Sequence, residues 1–170
     1  MKKAFTLIEL LIVMAIMGIL TSITAAQFQT AKRKANDVAR KGDLNAVSKA
    51  LQMYFADYGR MPAANAVGQI MVAGVGISWG GEFKDSSGYI YMKQLPVESK
   101  LVGSPYCYKV GADGKSYALF AMLENETDSQ CDRDKDGDAD KTYDCGGNTD
   151  AYCFAYISPN ISLNEHGTIQ

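Results

Sequence analysis

Residues 2–20 read KKAFTLIELLIVMAIMGIL, and this stretch decides the architecture. Lys2 and Lys3 precede an apolar run, yet Glu9 sits inside it. A charge at membrane depth costs roughly 2.5–3.5 kcal/mol on insertion scales. From Phe5 to Ala26 Glu9 is the only charged residue. As a helix this segment would span about 33 Å, enough for the hydrocarbon core. It suits a permanent anchor, or a secretory signal cut at Thr24-Ala25-Ala26 to leave a chain starting near Gln27. Glu9 speaks against the signal, and so does the sequence that follows. Gly and Pro are absent from Gln27 to Lys41, and apolar residues continue at helical spacing: Phe28, Ala31, Ala35, Val38, Ala39, then Ala46, Val47, Ala50, Leu51, Tyr54, Phe55 and Tyr58. That stripe predicts one amphipathic helix continuing the apolar one. Gly42 is its weak link, at about 1 kcal/mol against Ala. Gly59 and Pro62 close a rod of about 80 Å.

The run from Lys2 to Leu20 resembles the amino terminus of type IV pilins and pseudopilins. The resemblance implies a leader, residues 1–4, cut between Ala4 and Phe5, followed by methylation of the Phe5 amine. It implies that the helix first anchors the subunit and then forms a filament core, with Glu9 facing the new amino terminus of a neighbouring copy. A buried carboxylate is tolerable when a cation meets it, so pairing would turn a penalised charge into an axial register mark. Three departures from the family pattern stand out. Ala4 replaces the usual Gly before the cut. Ala26 holds the place of the usual mid-helix Pro, although Gly18 is present. Lys32, Arg33, Lys34, Arg40 and Lys41 fall on the exported side, against the positive-inside trend. A solvated helix face, with Asp37 and Asp43 interspersed, is the expected role for these charges; intersubunit salt bridges and anionic headgroups are the alternatives.

The chain has 170 residues and a net charge of −2, which suits one domain plus an appended element and argues for no nucleic-acid partner. The single histidine, His166, lies in a polar tail, so Cys/His zinc sites and His-based catalysis are poor expectations. Four cysteines confined to the carboxy-terminal half of an exported chain read as a disulfide framework. Residues 61–104 form a glycine-punctuated connecting region. Ile70-Met71-Val72 reads as a short helix or strand, Tyr89–Leu95 as a helical turn before Pro96, and Trp79 as packing the loop onto the helix. In 105–170 the period changes. Tyr106–Val110, Ser116–Leu123 and Tyr152–Ile157 read as strands, the first two joined by hairpin chemistry at Gly111–Lys115. The fold expected is α+β: a long helix (5–60, apolar over 5–26 and amphipathic over 27–60) packed through Ala46–Tyr58 on a small antiparallel sheet. YFADYGRMP, YMKQLP and GSPYCYKVGADGKSYAL loosely resemble the heads of pilins and of the major pseudopilin of type II secretion. The pseudopilin's Asp-Pro-Trp-Gly after Leu-Pro is replaced by Val97-Glu98-Ser99-Lys100, which favours a pilin.

The other informative stretch is residues 131–145, CDRDKDGDADKTYDC. Asp132, Asp134 and Asp136, then Gly137, match positions 1, 3, 5 and 6 of a calcium loop, with Asp138 and Asp140 at positions 7 and 9. The bidentate Glu at position 12 is missing, and Asp144, one residue late, could close the shell. Calcium is the cation expected, since so many carboxylates would otherwise repel and magnesium prefers to keep its waters. The cysteines permit three connectivities. The favoured one brackets the loop with Cys131–Cys145 and joins Cys107 to Cys153 across the sheet. Asn125-Glu126-Thr127 and Asn160-Ile161-Ser162 match a short glycosylation pattern.

The leading functional expectation is therefore a structural subunit of a type IV pilus-like surface filament, a homopolymer and not an enzyme. The resemblance implies a prepilin peptidase, an assembly ATPase and a platform protein as partners. It places the precursor in the inner membrane and the finished filament at the cell surface. A pseudopilin of type II secretion and a secreted soluble calcium-binding module are the alternatives.

Overall fold

The computed structural model describes residues 6–97, 106–125, 127–131, 143–145, 148–159, 161–163 and 168–170; of 23–26, 143, 144 and 148–151 it describes the backbone only. One helix, α1 (Leu7–Tyr58), runs unbroken for 52 residues, about 78 Å. Thr6 caps its start, and Gly59, at φ 66°, ends it in the left-handed region while donating its N–H to the Phe55 carbonyl. Through Leu7–Leu20 the large apolar side chains are exposed, and burial begins only at Asp37. From there Leu44, Val47, Leu51 and Tyr54 enter the core of the head.

The expected burying stripe is partly corrected. Val47, Ala50, Leu51 and Tyr54 are buried as read, but Ala46 points outward, as do Val38 and Phe28, at 69% and 68% exposure. The helix carries two apolar stripes, and sequence periodicity merged them. Leu44 and Ser48 complete the inner one.

After the helix come β1 (Ala63–Ala64), β2 (Ile70–Val72) and β3 (Val75–Ile77), an antiparallel sheet in that order. Residues 70–72 are thus strand. β4 (Phe83–Lys84) pairs with β5 (Ile90–Met92), which overturns the helical turn expected over Tyr89–Leu95. The reason is local: Asp85 Oδ1 accepts hydrogen bonds from Ser87 N–H, Ser87 Oγ and Tyr89 N–H, and Gly88 takes φ 90°, reversing the chain.

The main sheet has β7 (Tyr117–Ala121) at its centre, flanked by β6 (Tyr106–Val110) and β10 (Phe154–Ile157), all antiparallel. The hairpin chemistry acts as read: Asp113 Oδ1 accepts from Lys115 N–H and Ser116 N–H, with Gly114 at φ 63°. β8 (Tyr143–Cys145) and β9 (Asn148–Tyr152) form a separate ribbon, so Tyr152 closes β9 rather than opening the third strand. All of β7 is buried. One face of the sheet meets α1 through Tyr106, Tyr108, Tyr117 and Leu119; the other holds Cys107, Ala118 and Phe120 with Cys145 and Tyr152. The buried tyrosines satisfy their hydroxyls: Tyr108 on the Pro62 carbonyl at 2.8 Å, Tyr117 with Ser48 at 2.6 Å, Tyr106 on Asp43 at 2.6 Å. Trp79 meets Tyr106 with the rings tilted, centres 5.4 Å apart, and so packs against the sheet as part of the core that the helix shares.

Candidate functional site

The amino-terminal end of α1 has a chemistry of its own. Thr6 Oγ1 accepts from Glu9 N–H at 3.4 Å, and Glu9 Oε2 accepts from Thr6 N–H at 2.9 Å and Thr6 Oγ1 at 2.7 Å. This reciprocal box closes the helix start and answers two polar groups that lipid would not. Glu9 is therefore not bare in the lone subunit. Thr6 supplies the donors, and the signal for it lies in the sequence, as a Thr three residues ahead of a Glu at a helix start. Ala4 and Phe5 lie outside the described residues.

A second polar constellation joins the helix to the head. Asp37 and Arg40 are each only 1% exposed and pair at 2.6 Å. Arg40 also bridges to Glu124, which accepts from Asn36 Nδ2 at 3.1 Å. Asp37 in turn accepts the backbone N–H groups of Glu124 and Asn125 at 2.9 and 2.8 Å. One turn on, Lys41 Nζ meets both carboxylate oxygens of Asp128 at 2.8 Å and the Gln130 side chain, and lies 5.1 Å from the Phe154 ring centre. Burial alone would raise the Asp128 pKa, but Lys41 and the Gln130 N–H bring it below the usual carboxylate value. The solvated-face expectation is corrected here. Arg40, Lys41 and Asp37 are spent inside the chain, clamping Glu124, Asn125, Asp128 and Gln130 onto α1, whereas Lys32, Arg33 and Lys34 are exposed.

Residues 124–131 lead into the acidic stretch. Asp132, Asp134, Asp136, Asp138 and Asp140 lie outside the described residues, as does the side chain of Asp144. What the structure gives is the frame. Cys107 bonds to Cys145 and Cys131 to Cys153, with Cα separations of 6.1 and 4.7 Å. The favoured pairing of Cys131 with Cys145 and Cys107 with Cys153 is thereby corrected. Cys107 stands on β6 and Cys153 abuts β10, with the whole of β7 between them. Two inter-strand spacings amount to about 9.5 Å, beyond the reach of a disulfide. The sequence showed both residues near strands but not that a third strand separates them. The ends of the acidic segment are consequently tied to opposite edges of one sheet.

Residues 1–25 match the family model described as the prokaryotic N-terminal methylation motif. The chain is 27% identical over 135 residues to the type II secretion system core protein G of Pseudomonas aeruginosa, spanning 79% of this chain and 92% of that protein. It is 30% identical to the protein of that name from Klebsiella michiganensis, over 56% of this chain and 66% of the relative. With that of Aeromonas hydrophila the identity is 36%, over 36% of this chain and 43% of the relative. No solved structure gives a significant match. The apolar helix and its amino-terminal motif fit a membrane-anchored precursor that assembles into a filament. Motif, relatives and a long helix seated on small antiparallel sheets agree in supporting the type IV pilin and pseudopilin family, whose members are structural subunits and not enzymes.

Proposed function

We propose that this chain is the major pseudopilin of a type II secretion system: a subunit cut before Phe5, methylated there, and polymerised through α1 into a short filament rooted in the inner membrane. The observation that carries this is the similarity to core protein G of Pseudomonas aeruginosa, which runs through 92% of that protein and so includes the head. It outweighs the missing Asp-Pro-Trp-Gly stretch, a local feature that had favoured a surface pilus. In this reading a prepilin peptidase, an assembly ATPase and a platform protein are the partners, and Glu9 meets the Phe5 amine of a neighbouring copy. The Thr6 donors hold the carboxylate until that exchange. Mass spectrometry of the mature amino terminus tests the processing, and a methylated Phe5 is expected. Deleting the gene tests the rest: loss of exoprotein secretion with surface pili intact supports the pseudopilin, and the reverse outcome returns the surface pilus.

We further propose that residues 132–144 hold one calcium ion, with Asp132, Asp134, Asp136, Asp140 and Asp144 as side-chain donors and Asp138 offering its carbonyl. The donor set is all hard oxygen, which fits calcium, and both flanking cysteines are anchored to the sheet. The ion would neutralise repulsion and stiffen the head. A chelator added to the oxidised protein should lower its melting temperature; an unchanged midpoint would sink the assignment.

A further inference from the structure

Five cations lie on the middle of α1, and the structure divides them. Arg40 and Lys41 are neutralised by Asp37, Glu124 and Asp128 within the chain. Lys32, Arg33 and Lys34 are exposed and make no ion pair with any described residue. The division follows distance from the apolar run. Leu7–Ala26 spans about 30 Å of helix, the thickness of the hydrocarbon core. Lys32–Lys34 then lie about 9–12 Å beyond it, at 1.5 Å per residue. Long basic side chains bend back along a helix toward a membrane surface, so this collar reaches the phosphate layer. The head's first burial on α1 comes at Asp37, just past the collar, so nothing in the described residues of the head covers it.

We propose that Lys32, Arg33 and Lys34 form a binding collar for the phosphate groups of anionic phospholipids in the exported-side leaflet. The collar sets the depth of the waiting subunit and balances the positive charges on the wrong side of its span. Each cation near an anionic surface adds to the attraction, and three in a row suffice for selection among lipids. The inference rests on the membrane-anchored precursor reading.

The test uses the full-length chain in mild detergent with equal amounts of phosphatidylglycerol and phosphatidylcholine, scored by native mass spectrometry. The unmodified chain should retain phosphatidylglycerol at least about fivefold over phosphatidylcholine. The Lys32→Gln/Arg33→Gln/Lys34→Gln variant should fall to parity, while Lys49→Gln, farther along the same helix, should keep the preference. Parity in the unmodified chain, or an unchanged preference in the triple variant, overturns the collar. If the triple variant keeps its lipid preference but loses self-association, the collar serves a second copy and the proposal falls. Alkaline extraction separates the premise from the inference. A chain released from membranes by carbonate ends the anchored reading, whereas one that resists extraction yet shows no lipid preference ends only the collar.

Discussion

Asp37 ties the helix to the head. It pairs with a buried guanidinium and accepts two backbone N–H groups from a segment 87 and 88 positions away. Removing one partner of a buried ion pair leaves the other charged and desolvated, at about 3–5 kcal/mol. Asp37→Ala should therefore lower the unfolding midpoint in urea by a large fraction of total stability, whereas Lys34→Ala should barely move it. Asp85 is a second such residue. Hydrogen bonds from Ser87 above all, then from Tyr58 and the Tyr89 and Ser87 amides, outweigh burial and hold its pKa at about 2. An unfolded aspartate titrates near 3.9, so the unfolded chain takes up the proton first on acidification. The stability Asp85 supplies is thus complete above about pH 4 and is lost as pH falls toward about 2. Urea titrations of the wild type and Asp85→Asn should differ most near neutrality and converge at the acid end.

At the scale of elements, α1 was legible as one long helix closing at Gly59, because apolar length, the lack of Pro and the closing Gly59 agree, while the Thr-x-x-Glu that sets its start went unread. What periodicity missed was which of two apolar stripes the head covers. Ala46, Val38 and Phe28 repeat as regularly as Leu44, Val47 and Leu51 but face away. The strand pair β4–β5 was missed because its turn is built by one side chain, Asp85, whose capping shows only once the chain is folded. The cationic cluster misled for a related reason: beyond nearby Asp37, the acids that neutralise Arg40 and Lys41, Glu124 and Asp128, lie more than eighty positions away. Gly42 offers a test of the outer face. A Cβ there would meet nothing within 4 Å, so Gly42→Ala should raise head stability by about 0.5–1 kcal/mol. Thermal melts of the isolated subunit would register the gain. If filament yield falls in the same variant, another helix approaches at that point.

For the whole molecule, the candidate site divides in the same manner. The methylation motif was readable because residues 1–25 are one contiguous stretch. The cysteine partnership was not, because it depends on the order β10-β7-β6, and order within a sheet is a long-range property. Peptide mapping under non-reducing conditions should recover Cys107 with Cys145 and Cys131 with Cys153; finding Cys131 with Cys145 would overturn the arrangement. In the chain-entropy description, bridges across separations of 38 and 22 residues each contribute about 3–4 kcal/mol.

The two bridges interleave along the chain, since Cys131 lies between Cys107 and Cys145 while Cys153 lies beyond both. The Cys107–Cys145 loop can close once Cys145 has emerged, but it encloses Cys131, whose partner Cys153 is still to come. Completing the pair must await Cys153, next to the last strand, and an oxidising surrounding. The second lock on the head is therefore set only when the carboxy-terminal strand has arrived, however early the first one closes.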